Sequence, residues 1–206
     1  TNPQPATGGA ERETIAHAVM HAPSVFRSLK RAVTAEDYEA LAIDFKGVGK
    51  VRAESPHWNT VTLFVAPEGG GYTSDVLEAN LLAYFEDKRP ISTIIEIEDV
   101  DYVKVYVTAE VDVKSYYSQA DIKGKVQAAA GNLLAFDNVD FKQTIYLSKF
   151  YEAIEAIEGV AGVNISEFRR EGQSEAIETS GKIELRVNEI PRIPNDPSDP
   201  PAYDGG

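Results

Sequence analysis

The sequence contains no cysteine among its 206 residues. Disulfides, thiolate metal sites and a cysteine nucleophile are therefore excluded, and the absence agrees with assembly in a reducing compartment. Basic residues are also scarce, since 20 Lys and Arg stand against 33 Asp and Glu, for a formal net charge of −13. Nucleic-acid binding depends on neutralising phosphates. We therefore expect this acidic chain to bind neither nucleic acid nor an anionic membrane surface.

Long hydrophobic runs and a signal-peptide pattern are absent from the sequence as well. The length predicts one large or two small domains with a buried core. The chain begins at Thr1, and its single methionine is Met20. We therefore expect a fragment or a processed chain that lacks an N-terminal region.

Helical and strand periodicities alternate along the first hundred residues. The pair Thr34 and Asp37 has the spacing of a capping box, and Ser74 is a predicted helix N-cap. Residues 1–9 are predicted to be a linker. The predicted elements are helices at residues 10–22, 34–45 and 74–87 and strands at residues 48–53, 60–66 and 93–97.

The second half opens with the clearest strand pattern in the chain, at residues 102–113, where valines alternate with polar residues. Its length is sufficient to serve two sheets or to bend across one. The elements predicted after it are helices at residues 119–135 and 148–158 and strands at residues 163–169 and 182–187. Residues 191–206 contain five prolines and are predicted to form an extended tail that neither pairs nor coils.

Strands and helices are clustered rather than strictly alternating, which predicts an α+β protein. We expect two small α+β units, at residues 31–100 and 101–190, with helices packed on antiparallel or mixed sheets and the two parts meeting near residues 98–115. The linker and leading helix at 1–30 precede them, and the proline-rich tail at 191–206 follows. A weak internal repeat suggests that the two units are related. Its copies are Tyr-Glu-Ala-Leu at 38–41 and Tyr-Glu-Ala-Ile at 151–154, each followed by a Gly-Val-x-x-Val segment.

Two histidine positions are candidates for chemistry. His17 and His21 are four residues apart, a spacing that places two imidazoles on one helix face. The metalloprotease pattern requires a glutamate where Ala18 stands, and no third ligand is indicated, so we expect no metal site. His57 precedes Trp58 in a predicted turn, where an interface role is favoured over catalysis.

Acidic and glycine-rich segments provide the remaining candidates. The cluster Glu96, Glu98, Asp99 and Asp101 lacks the spacing of a calcium loop and the cleft of a glycosidase, so it is predicted to be a solvated rim. The run at residues 68–71 lacks the lysine of a phosphate-binding loop and is predicted to be a mobile turn. Asn-Ile-Ser at 164–166 matches the acceptor pattern for N-glycosylation. It lies in a predicted strand, so it is discounted as a glycosylation site.

No residue of this sequence is therefore predicted to be catalytic, cofactor-binding or metal-binding, and the protein is predicted not to be an enzyme. Exposed aromatic residues are natural anchors of protein interfaces. The candidates of this kind are Trp58, Tyr116, Tyr117 and Tyr203.

Short segments of the chain, in their order and at their separations, resemble the baseplate J-like proteins of contractile phage tails and related injection systems. The main ones are Ala-Thr-Gly-Gly-Ala-Glu at 6–11, Arg-Ala-Val-Thr-Ala-Glu-Asp-Tyr at 31–38 and Tyr-Leu-Ser-Lys-Phe-Tyr-Glu-Ala-Ile at 146–154. Others are Asn-Pro at 2–3, Arg-Glu-Thr at 12–14, Asn-Thr-Val at 59–61, Lys-Arg at 88–89, Leu-Ala-Phe at 134–136 and Asp-Phe at 140–141. The resemblance covers about residues 1–190 and corresponds to the middle and C-terminal part of the family.

The resemblance implies a structural wedge subunit, present in several copies, that bridges the central hub and the tail periphery. Its implied partners are its own copies and other wedge proteins, with no cofactor and no small-molecule substrate. Its implied location is a virion or phage-like particle assembled in the bacterial cytoplasm. Two alternatives remain open: a carbohydrate-binding or hydrolytic tail-associated module, and a regulatory or scaffold domain unrelated to phage. The segment from Pro191 lies outside the resemblance.

Overall fold

The computed structural model describes residues 31–174 and 180–194. Its first element is helix α1 (Ala35–Ile43), which begins at a capping box as predicted. The Thr34 hydroxyl accepts the N–H of Asp37 at 3.2 Å, and the Asp37 carboxylate accepts the N–H of Thr34 at 2.9 Å. Two of the unpaired donors of the first turn are thereby satisfied, which fixes where the helix starts.

The first sheet contains strands β1 (Val48–His57), β2 (Thr60–Pro67) and β3 (Ile94–Asp99), in the order β1-β2-β3. β1 and β2 form an antiparallel hairpin, whereas β2 and β3 are parallel. Helix α2 (Asp75–Phe85) provides the crossover between the parallel strands, and the Ser74 hydroxyl caps it by accepting the N–H of Leu77. The sheet is therefore mixed, one of the two kinds, antiparallel or mixed, that the sequence predicts.

The core of this half lies between the sheet and the two helices. Leu63 and Val65 of the central strand are fully buried against Tyr38 of α1 and against Leu81 and Phe85 of α2. The rings of Tyr38 and Phe85 are 5.4 Å apart between centroids. Burying such side chains contributes about 1.5–3 kcal/mol each, which holds both helices on one face of the sheet.

The second half is organised around a long strand, β4 (Asp101–Val113). Its first four residues pair in parallel with β8 (Glu189–Arg192), and Val105–Val113 pair in antiparallel fashion with β6 (Val160–Arg170). The other elements are α3 (Gln119–Leu133), a 3₁₀ turn (Phe136–Asn138), α4 (Leu147–Glu155) and the small sheet of β5 (Thr144–Tyr146) and β7 (Lys182–Glu184).

Two apolar clusters stabilise this part of the molecule. One packs α4 on the β4–β6 pair, with the rings of Phe150 and Phe168 5.8 Å apart. The other joins the halves, because Phe64 on the far face of β2 packs with Phe141 and Ile190. The described residues thus form an α+β fold with helices on mixed and antiparallel sheets, which confirms the predicted fold class.

Several sequence predictions require correction. The strand predicted at 182–187 ends at Glu184, and β5 and β8 were not predicted. The prediction that no residue from 191 onward pairs is wrong, because Pro191 and Arg192 lie opposite Val103 and Lys104. Pro191 is tolerated because β8 is an outer strand, where every second N–H points away from the sheet.

The described residues leave two of the sequence predictions untested. The helix predicted at 10–22 lies outside the described residues, and the division into units at 31–100 and 101–190 stays a prediction. Among the described residues, no helix has the length and apolar character needed to cross a membrane.

Candidate interaction surfaces

The tip of the β1–β2 hairpin presents the only tryptophan of the chain to solvent. Trp58 and Asn59 connect the strands, and Trp58 is 89% exposed. The Ser55 hydroxyl lies 3.0 Å from the carbonyl oxygen of His57 and 3.1 Å from that of Thr60, which closes the base of the turn. The turn is therefore held by hydrogen bonds while the indole ring packs on little of its own chain.

Two isoleucines extend this apolar area at the same end of the sheet. Ile94 begins β3 opposite Thr60, donates its N–H to the Asn59 carbonyl at 2.7 Å and is 51% exposed. Ile91, three residues earlier, is fully exposed. The Arg89 guanidinium fixes the intervening loop, since it donates to the Thr93 carbonyl and pairs with Glu86 at 2.8 Å. We call Trp58, Ile91 and Ile94 the Trp58 surface.

The acidic cluster is exposed and partly structural. Glu96 and Glu98 are two residues apart on β3, an outer strand of the first sheet, so both side chains lie on the same face. Asp99 accepts the N–H of Thr73 at 2.8 Å, and Asp101 accepts a hydrogen bond from the Asn188 amide at 3.1 Å. Within residues 31–174 and 180–194, no group of three or more acidic or histidine side chains is arranged to hold a metal ion. Charges along an outer strand disfavour pairing with a further strand.

The glycine-rich run forms a turn that contacts the second half. Gly69, Gly70 and Gly71 all have positive φ values, of 81°, 90° and 89°, a conformation that disfavours side chains with a Cβ. The Tyr102 hydroxyl donates to the Gly71 carbonyl at 3.0 Å. The ring of Phe136 lies 3.4 Å from where a Cβ on Gly70 would be. The turn therefore helps to join the two halves.

The loop after β4 contains the two tyrosines that the sequence singles out. Tyr116 is almost fully exposed, whereas Tyr117 packs over Gly159. The Tyr117 hydroxyl donates to the Glu158 carboxylate at 2.9 Å, and this hydrogen bond raises the pKa of Tyr117 above its ordinary value. Tyr117 is thus used within the fold, and Tyr116 remains a candidate contact. Tyr203, His17 and His21 lie outside the described residues.

Sequence reasoning found Trp58 but not Ile91 and Ile94. The sequence indicates the exposure of these two residues only weakly. Ile91 lies between Pro90 and Ser92 in a loop, and such a residue is recognised as exposed only when the loop is known to face solvent. Ile94 was assigned to a strand without a face. The position of Ile94 beside the Trp58 turn follows from the parallel pairing of β2 with β3, which no local pattern specifies.

Comparison with known proteins confirms the resemblance over the first sheet. Residues 30–98 match the family model of the Baseplate J-like central domain, which is about a third of the chain. These residues include the whole Trp58 surface. This part of the chain is therefore similar to the baseplate J-like proteins, as its sequence predicts.

A solved structure shares the fold over a longer range. A chain of the cryo-EM structure of the anti-feeding prophage (AFP) baseplate, 6-fold symmetrised, is similar with a TM-score of 0.67 and 14% identity. The similarity covers 91% of this chain and 43% of that chain, so this chain spans less than half of its length. No curated protein sequence matches significantly. The family match thus concerns the first sheet, and the solved structure shows that the fold is shared over most of the chain.

Proposed function

We propose that this chain is a non-enzymatic wedge component of the baseplate of a contractile phage tail or phage-like injection system. It acts through contacts with its own copies and with other wedge proteins, in a particle assembled in the bacterial cytoplasm. The observation that carries the proposal is the Trp58 surface, which lies within the residues that match the Baseplate J-like central domain. Binding nucleic acid, membrane or a small-molecule substrate is not part of the proposed role.

An exposed tryptophan flanked by exposed isoleucines is typical of an interface anchor. Tryptophan buries about 150–250 Å² when a partner covers it, and tryptophans are enriched among residues whose truncation costs 2 kcal/mol or more in binding. Here the turn that carries Trp58 is closed by the Ser55 hydroxyl, so the ring is presented with little ordering cost on binding. The hairpin tip is therefore suited to contact another subunit.

The surface is tested by the variant Trp58→Ala in the parent particle, imaged by cryo-electron microscopy. The matched control is Val76→Ala, which changes an exposed apolar residue of α2 outside the Trp58 surface. We expect fewer ordered baseplates with Trp58→Ala and normal ones with Val76→Ala, and unchanged thermal unfolding of both isolated variants. Ordered baseplates at normal yield with Trp58→Ala would remove the Trp58 surface from the proposal.

The wedge role itself is tested by deleting residues 31–190 from the parent protein. Tube or sheath pieces without an ordered baseplate are expected. Normal baseplates on contractile tails would contradict the wedge role. A glycan array and a cell-wall hydrolysis assay address the alternative of a carbohydrate-binding or hydrolytic module, and robust turnover would make that alternative the better one.

A further inference from the structure

One side of the long strand β4 borders no other strand over most of its length. β6 pairs with Val105–Val113 on one side, whereas β8 covers the other side only as far as Lys104. Within residues 31–174 and 180–194, no further strand pairs with β4. The backbone from Val107 to Val113 therefore forms an open edge of the sheet, about 20 Å long.

The hydrogen bonds at the two ends of β4 show which backbone groups face this edge. The Lys104 carbonyl accepts the N–H of Glu171 on the β6 side at 2.9 Å, and Lys114 donates its N–H to the Gly159 carbonyl on that side, also at 2.9 Å. Because backbone groups alternate along an antiparallel strand, the even-numbered residues between these two face β6. Both irregularities of the pairing are extra residues of β6, so β4 alternates regularly. Beyond the end of β8, the residues whose N–H and C=O groups face the open edge are Val107, Ala109, Val111 and Val113.

A groove of about 570 Å³ lies along this edge and separates it from α3. Val107 and Thr108, whose side chains lie on opposite faces of β4, both line the groove, so it extends around the edge of the strand. The α3 side presents an apolar stripe of residues four apart, with polar side chains beside it. The apolar residues are Ile122, Val126 and Ala130, and the polar ones are Gln119, Lys123 and Gln127.

This arrangement has the features of a site for strand addition. A strand added to β4 would lie about 4.8 Å from it, in the plane of the sheet. Every second side chain of that strand would then enter the groove and pack between Val107 and Val111 of β4 and the apolar stripe of α3. The groove therefore favours apolar residues at alternate positions of the added segment.

The other face of β4 determines which charge the added segment should have. Glu110 and Asp112 lie on that face, and both are exposed. Among the residues that the structure describes, neither carboxylate is in an ion pair. Opposite charges across a strand pair are stabilising, whereas like charges directly opposite are destabilising. The remaining positions of the added segment are therefore favoured to be basic.

A second copy of the chain fits this edge poorly. Two β4 edges paired with each other would bring their acidic residues together, which is unfavourable. Two outer strands, β1 and β6, each have an N–H that is already bonded to a helix side chain. These hydrogen bonds run from Ala53 to Glu39 at 2.9 Å and from Ile165 to Tyr151 at 3.2 Å. The chemistry of the edge thus indicates a segment of a different protein.

We propose that an extended segment of another protein, in which apolar and basic residues alternate, adds to the sheet along the open edge of β4. Its backbone pairs with Val107, Ala109 and Val111, and its apolar side chains enter the groove beside α3. Its basic side chains face Glu110 and Asp112. This site is separate from the Trp58 surface, and the inference does not depend on the wedge role, because it rests on the second half of the molecule alone.

The test uses amide hydrogen exchange of the full chain, followed by NMR, with a synthetic peptide of about seven alternating lysine and valine residues as the probe. In the isolated chain, exchange is expected to be about tenfold or more faster at Val107, Ala109 and Val111 than at Glu110, which faces β6. The probe is expected to slow exchange at the three edge residues. Slow exchange there without the probe would overturn the proposal, because the chain itself or a second copy would already cover the edge. No slowing with the probe would overturn it as well.

N-methylated forms of the probe distinguish strand pairing from charge attraction. One form is methylated at the valines and the other at the same number of lysines. Only one of these sets of N–H groups can face β4, so one form is expected to bind about tenfold or more weakly than the other. Sensitivity at the valines indicates antiparallel pairing, and sensitivity at the lysines indicates parallel pairing. Equal affinities of the two forms would overturn strand addition.

Charge reversal on β4 provides the matched control. Glu110→Lys is expected to weaken binding of the basic probe about fivefold or more, and to improve binding of a probe with glutamate in place of lysine. Glu155→Lys changes the net charge equally at an exposed position of α4 that does not line the groove, and is expected to leave binding within about twofold. Equal effects of the two variants would show that net charge alone is responsible and would overturn the assignment of the edge.

Discussion

Replacing Glu189 by glutamine tests how the C-terminal strand is held to the rest of the molecule. The Glu189 side chain is 5% exposed, and one carboxylate oxygen lies 2.8 Å from the Arg170 guanidinium. The other oxygen accepts the N–H of Arg186 at 2.8 Å. A glutamine keeps the shape and can keep hydrogen bonds, but it removes the charge. The change therefore isolates the electrostatic part of the contact.

The magnitude follows from the two charge-assisted hydrogen bonds. A hydrogen bond to a charged group contributes about 1.5–3 kcal/mol, against about 0.5–1.5 kcal/mol for a neutral one. Losing about 1 kcal/mol at each of the two bonds predicts a loss of about 2 kcal/mol in the free energy of unfolding. The Arg170 side chain is partly exposed, so water compensates the remaining guanidinium and the loss stays below the value for a fully buried pair.

The same contact predicts a pH dependence. Burial on its own raises the pKa of Glu189, but the hydrogen bond from the Arg186 N–H and the contact with Arg170 outweigh it and leave this pKa below its ordinary value. A carboxyl group with a lowered folded pKa stabilises the protein above its unfolded pKa, about 4.3 for glutamate. That stabilisation is lost as the pH falls through the folded pKa. The difference between wild type and Glu189→Gln should therefore be largest at neutral pH and shrink below about pH 4.

The assay is urea denaturation followed by far-UV circular dichroism at pH 7 and at several lower values. The matched control is Glu152→Gln, which removes the same charge from an exposed pair with Lys149 at 2.8 Å. That variant is expected to lose much less stability than Glu189→Gln, because water screens an exposed ion pair. A Glu189→Gln variant within 0.5 kcal/mol of wild type at pH 7, or a difference that persists unchanged at pH 3, would refute the reasoning.

Two further substitutions test local geometry. Gly159→Ala is expected to lower the free energy of unfolding by about 2–4 kcal/mol, because φ is +106° and the new Cβ would lie 2.8 Å from Tyr117 Cγ. Gly172→Ala, with φ +81° in open space, should cost only about 1–2 kcal/mol, and similar losses in urea denaturation would contradict the contact argument. Thr34→Ala should cost about 1 kcal/mol by removing a capping hydrogen bond, whereas Ser118→Ala, at an N-cap without one, should cost less by thermal unfolding; equal losses would count against the capping box.

The parts of the fold that could be predicted from the sequence are those with a local cause. The capping box at Thr34 and the N-cap at Ser74 act within four residues, and both appear where the sequence places them. The alternating valines of β4 likewise show its length and its buried face. The fold class followed from such local features, because the clustering of elements limits how the layers can be arranged.

Two of the short strands could not be predicted in this way. β5 contains three residues and β8 contains four, too few for a periodic pattern, whereas β7, with three, lies within the strand predicted at 182–187. β8 pairs with a part of β4 that lies 88 residues earlier, and Pro191 argues locally against any strand. The pairing is favoured by tertiary contacts instead: Ile190 is fully buried with Phe64 and Phe141.

The candidate surfaces show the same limit. The sequence identified Trp58 as an anchor because a tryptophan in a turn is conspicuous by itself. Ile94 lies beside it only because β3 pairs in parallel with β2, and Ile91 lies in the loop that leads into β3. A groove between β4 and α3, with Val107 and Val111 in its lining, was not predicted. In the sequence these valines cannot be distinguished from Val103 and Val105 of the same strand, which are buried in the core.

The weak internal repeat in the sequence corresponds to a helix–glycine–strand motif that occurs in both halves of the structure. In each, a helix is followed by a glycine with φ near +100°, namely Gly47 and Gly159, and then by an outer strand. A side chain of each helix accepts a backbone N–H of that strand, from Ala53 to Glu39 at 2.9 Å and from Ile165 to Tyr151 at 3.2 Å.

The two copies of this motif differ in the order of their paired strands along the chain. The partner of β1 follows it along the chain, whereas the partner of β6 precedes it. A similar local sequence therefore specifies the unit but not the order of the sheet. In both halves the helix occupies a donor on the outer strand that a foreign strand would need. This disfavours pairing of a further strand along β1 or β6, which agrees with the proposed use of the Trp58 surface.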